Sequence, residues 1–172
     1  MTTKHFTRDD AEKWGRHVAT TARALHRTEG HVKPILFLMV QTDPTTGEPF
    51  EDDKFRSVAV VPEGGFRGPD DKAAFMDKAR EIAKDTGAVA SALVAEAWVS
   101  DDAKVADEAM DKKGTLKGSA GVGEGIIVLV EHVSTSEALM FTSKICDGVA
   151  GEVEMDSNGL AGLARGIIEP AN

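Results

Sequence analysis

Ala11, Trp14, Val18, Ala22 and Leu25 recur at spacings of three and four residues, which predicts an amphipathic helix over residues 9–29. Asp9 or Asp10 can cap its start, and Gly30 stands where a helix ends in a left-handed turn. The pattern then changes. Ile35 to Val40 is an unbroken apolar run, as expected of a strand covered on both faces. After the turn-rich residues 43–49, Arg56 to Val61 predicts a second strand, antiparallel to the first because no crossover helix separates them. Pro69, followed by Asp70 and Asp71, opens a helix that runs to about Thr86 with Phe75, Ala79, Ile82 and Ala83 on its buried face. Gly87 stops it.

Ala88 to Val99 is rich in alanine, which favours helix. Val89, Val94 and Val99 tip the reading toward a third strand. Residues 101–113 are charged, with apolar positions at helical spacing, and five glycines follow between Gly114 and Gly125. This stretch is too long for a hairpin loop and reads as a flexible or short-helical insertion over 101–125. Ile126 to Val133 and Ala138 to Ile145 form a hairpin around Ser134 to Glu137. Gly151 to Met155 adds a short edge strand, and Leu160 to Ile168 a last helical turn or two.

Strands and helices do not alternate strictly, so the expectation is α+β. A two-layer, mostly antiparallel sheet of about five strands carries two main helices on one face, in the order α-β-β-α-β-β-β. All of residues 1–172 fit a single domain.

Composition narrows the function classes. The formal charge is −9, and no local cluster of Lys and Arg offsets it, which makes nucleic acid and anionic membranes poor partners. Tyrosine is absent and aromatics are 5% of the chain, a poor supply for stacking on bases. The single cysteine, Cys146, allows no intrachain disulfide and suits a reducing, cytoplasmic compartment. No apolar run is long enough to span a bilayer.

Candidate chemistry is sparse. Gly114 to Gly125 lacks the Gly-Lys-Ser/Thr triplet of a phosphate loop and precedes a strand, so it holds no cofactor. Asp147-Gly148 and Asp156 to Gly159 lack the alternating oxygen ligands of a calcium loop. His17 and His26, nine residues apart on the first helix, are too far apart for one metal, and His26 with His31 lacks a third ligand. Glu96 stands out because it shares a strand face with Val94 and Trp98, and a carboxylate on an apolar face must be solvated, paired or chemically employed. Glu131 and His132 point to opposite faces of their own strand. Glu96 with Glu131 or His132 is therefore the candidate catalytic set. Glu96, His132 and Ser143 fall in the order used by JAMM-type metalloproteases. Ser134 stands where that family needs a second His, however, and Cys146 where it needs an Asp, so the set cannot hold zinc.

The helix–strand–strand–helix–strand order resembles small uncharacterised proteins of bacteriophages and prophages. The resemblance rests on Leu93-Val94-Ala95-Glu96-Ala97-Trp98 on the later strand and a long excursion before a strand that carries Glu131. It covers residues 30–145, although residues 101–125 lack the Pro, His and Arg of that pattern. It implies an accessory role and carries over no catalytic residue. The expectation is a non-enzymatic binding or accessory protein with a protein partner, recognising it through residues 43–50 and 101–125. The alternatives are a small hydrolase or metal-dependent enzyme using Glu96 with Glu131 or His132, and a homo-oligomeric structural component pairing an edge strand or burying residues 101–113 between subunits.

Overall fold

The computed structural model describes residues 5–51, 54–64, 69–100, 102–113, 118 and 120–156. The chain enters its first helix, α1 (Arg8–Glu29), through a capping box. The Thr7 hydroxyl accepts the Asp10 N–H, and the Asp10 carboxylate accepts the Thr7 N–H in return. Thr7 is thus the cap, with Asp10 as its third-position partner. Gly30 closes the helix in the left-handed conformation.

Next come strand β1 (Ile35–Val40), strand β2 (Arg56–Val60) and helix α2 (Pro69–Asp85). Strand β3 (Ala90–Ser100), helix α3 (Ala103–Lys113) and strands β4 (Val122–His132), β5 (Thr135–Cys146) and β6 (Val149–Asp156) complete the described chain. The strands form one antiparallel sheet in the order β2-β1-β3-β4-β5-β6. The class is α+β, as the sequence predicts, and the alanine-rich stretch is a strand paired on both sides. Among the described residues the sheet has six strands where about five were expected, and the anticipated edge strand β6 is eight residues long. The predicted terminal turns at 160–168 lie outside the described residues.

The helices do not share one face. Met39, Ala92, Val94, Val128, Val130 and Phe141 pack with Val18, Ala19 and Ala22 of α1. Leu36, Leu38, Val40 and Leu93 pack with Met76, Ala79 and Ala83 of α2. Side chains alternate along a strand, so α1 and α2 lie on opposite faces of the sheet. The expected two-layer arrangement is corrected to a sheet with a main helix on each side. The reason is visible in Ile35 to Val40, whose unbroken apolarity satisfies two cores at once.

The described part of the 101–125 segment holds helix α3 and the start of β4. Asp102 caps α3 by accepting the N–H groups of Lys104 and Val105 at 2.9 and 3.3 Å. Gly123 and Gly125, placed by sequence in a loop, lie within β4.

Small residues set how α1 sits. Its buried positions are Ala11, Gly15, Val18, Ala19, Ala22 and His26. A Cβ at Gly15 would collide with the Phe141 ring and lie 2.8 Å from Val130 Cγ2, so glycine alone permits this approach to β4 and β5. Two arginines fasten the same flank to β6. Arg27 donates to the Ala150 carbonyl at 3.1 and 2.9 Å, and Arg23 pairs with Glu152 at 2.6 Å.

Candidate functional site

The other flank of α1 carries the bulky residues Trp14 and Leu25, and there the helix stands away from the sheet. The result is a cleft of about 270 Å³. Trp14, His17, Val18, Thr21, Ala22 and Leu25 of α1 form its wall, and Val32 closes one end. Its floor is Ile35 and Phe37 from β1, Ser57 from β2 and Val94 from β3. Register explains the floor. Met39 pairs with Ser57 and Phe37 with Ala59, so Ser57 and Ala59 lie on the α1 side of β2. Both are small and exposed, which leaves the cleft low-walled toward the sheet edge.

Aromatic packing firms one end of this region. The Phe6 ring meets Trp14 and Phe55 edge-to-face at centroid distances of 6.2 and 5.3 Å. The polar groups of the lining are His17, Thr21 and Ser57, all exposed, together with the Trp14 indole. Such a surface suits an apolar group.

Glu96 neighbours this cleft and has structural work. Its Oε1 accepts the Val32 backbone N–H at 2.5 Å and lies 3.8 Å from His26 Nε2. The carboxylate pins the connection between α1 and β1, and its side chain is 37% exposed, so it keeps access to water. His26 is buried, and its Nδ1 has no hydrogen-bond partner among the described residues.

The candidate catalytic set is not assembled. Glu96 and His132 share the α1 face, but His132 pairs with Ala90 and Glu96 with Ile126. Six residues of β3 separate them, about 20 Å along the strand. Glu131 pairs with Ser91 on the opposite face, where both are buried. His132 is buried, with Nδ1 2.6 Å from Ser134 Oγ and Nε2 unpartnered among the described residues. Burial, and then the nearby charge of Arg8, push its imidazole below the ordinary value of 6.5. Ser143 donates to the Gly151 carbonyl at 2.7 Å, where β5 and β6 slip register, and is part of a bulge.

The remaining candidates are placed as follows. His17 is exposed beside the cleft, and His31 is exposed with Nδ1 3.2 Å from the Glu29 carbonyl. Asp147 and Gly148 make the β5–β6 turn, with φ of 51° and 74°. Asp43 accepts the N–H groups of Thr45 and Thr46 at 2.7 and 3.3 Å, which holds its carboxyl below the usual range within its own turn. No group of three or more metal-ligating side chains occurs among the described residues. No described helix is long and apolar enough to cross a membrane. Among the described residues, none of 43–50 or 101–125, the segments expected to recognise a partner, lines the cleft.

No family model, no curated protein and no solved structure matches this chain.

The cleft is the feature that sequence reasoning missed. The spacing of Trp14, Val18 and Leu25 is visible in the sequence, but it reads as core. Only the sheet order shows that β1 and β2 extend beyond the helix that should cover them.

Proposed function

We propose that this chain is a non-enzymatic binding protein that takes an apolar group of its partner into the cleft between α1 and β1–β3. One observation carries the reading: a concave, aromatic-walled space of about 270 Å³ whose floor continues to an open sheet edge. This volume is close to the lower end of small-ligand pockets, roughly 300 Å³, and suits one ring system or one large side chain. The resemblance to small phage proteins supports an accessory role. The separation of Glu96 from His132 and Glu131 weighs against the enzymatic alternative.

Methyl NMR with naphthalene as probe tests the proposal. Saturating probe is expected to shift the methyl signals of Val18, Leu25, Val32, Ile35 and Val94 while those of Leu129 and Leu93, across the sheet, stay in place. Shifts confined to Leu129 and Leu93, or none at all, would contradict it.

A further inference from the structure

Strand β2 ends the sheet, and among the described residues no strand lies outside it. Half of its backbone N–H and C=O groups therefore face away from β1, as in any edge strand. Proteins normally obstruct such an edge with charge, proline or a bulge. The one charge on β2 is Arg56 at its first position, with its guanidinium over the Phe50 ring at 4.1 Å; from Ser57 to Val60 there is no charged residue and no proline, and the register with β1 is unbroken. Val61, directly after the strand, is 58% exposed.

The other edge is obstructed. Strand β6 presents exposed Glu152 and Glu154 and carries a register slip near Gly151. The cleft lies beside the unobstructed edge, across only the small side chains Ser57 and Ala59.

From these features we infer that the partner is an extended peptide segment that adds to β2 as a seventh strand and lays one large apolar side chain over Ser57 and Ala59 into the cleft. The inference rests on the binding role proposed for the cleft and specifies its ligand. Backbone pairing supplies affinity, and alternate side chains falling on the α1 face supply selectivity. The chain's net charge of −9 favours a segment flanked by Lys or Arg, through faster encounter. A second copy of this chain is a poor occupant. Paired through its own β2, it would bring Ser57, Ala59 and Val61 to the α1 face, and none of these carries the large side chain that the cleft would take.

The test selects a displayed library of random short peptides on the full-length protein and characterises the tightest binder. On binding, alternate backbone amides of residues 57–61 are expected to exchange about tenfold more slowly or better, and those of β6 are not. Changing the peptide's large apolar residue to Ala is expected to weaken binding roughly 10- to 100-fold. N-methylation of alternate peptide amides should abolish binding in one register and spare it in the other. That readout requires no change to the protein. Ala59→Arg, at an exposed position, should also weaken binding while the circular dichroism spectrum is unchanged.

Strand addition is overturned if no peptide is selected, if exchange at β2 is unaffected, or if both N-methyl registers bind equally. It is also overturned if β2 is protected without peptide in a self-associated protein. Cleft methyl shifts without β2 protection would leave the cleft reading standing and remove the strand. Protection of β2 by a peptide indifferent to its apolar residue would remove the cleft reading and the anchor with it.

Discussion

On the face that α1 covers, the two halves of the sheet are treated in opposite ways. Over β4, β5 and β6 the helix lies close, with Gly15 against Phe141 and with Arg23 and Arg27 holding β6. Over β1 and β2 the same helix turns Trp14 and Leu25 toward the sheet and leaves a cleft. The edges differ in the same sense, since β6 carries two exposed carboxylates and a bulge and the last four residues of β2 carry neither. A single helix thus builds the core on one flank and a receptive surface on the other. The difference comes from residue size: small side chains let it descend and large ones hold it off.

Substitutions should separate the halves. Phe141 is fully buried beneath the helix, and Phe141→Ala should cost about 3–5 kcal/mol in urea unfolding. Gly15→Val must displace Phe141 or lift α1, and should cost about 1–3 kcal/mol. If Gly15→Val were neutral, the close contact on this flank would be refuted.

His132 belongs to the packed half and makes stability depend on pH. The fold favours the neutral imidazole, because burial and the Arg8 charge lower its pKa below 6.5. Above pH 6.5 neither the folded nor the unfolded chain binds this proton, and the contribution is fully present. As pH falls below 6.5 the unfolded chain protonates first, and stability is lost down to the folded-state pKa. Unfolding midpoints of wild type and His132→Gln between pH 7.5 and 5 should therefore converge as pH falls. Parallel curves would contradict the assignment.

On the open flank the effects shrink. Glu96→Gln keeps a carbonyl oxygen for the Val32 N–H and removes only its charge, so the loss should be about 1 kcal/mol or less at this part-exposed site. Thr21→Phe fills the exposed mouth of the cleft and should change stability by less than about 0.5 kcal/mol.

Much of this fold is legible in the sequence, because the helical period of α1 and the apolar runs of β1 and β4 are clean and Gly30 and Gly87 mark two helix ends. The alanine-rich β3 is legible too, once Val89, Val94 and Val99 are weighed against helix propensity. The side of the sheet on which α2 packs is not legible. The run Ile35 to Val40 reads as covered on both faces, but nothing in it says which helix covers which face. The opposite faces of Glu131 and His132 follow from alternation alone. Their distance from Glu96 depends on the β3–β4 register, which no local pattern encodes. The cleft is hidden for a related reason: it is defined by where α1 stops covering the sheet, and Trp14 has the same helical spacing over a core as over a gap.

The cleft also supplies its own reporter. The chain has two tryptophans, Trp14 in the cleft wall and Trp98 on an exposed part of β3, so Trp98→Phe leaves Trp14 as the sole indole. The most direct measurement is Trp14 emission in that variant during titration with 1-anilinonaphthalene-8-sulfonate, with and without Thr21→Phe. The account predicts saturable energy transfer from Trp14 to the dye, with affinity reduced roughly tenfold when the introduced phenyl ring occupies the mouth. Transfer that is absent, or equally strong in both proteins, would contradict it.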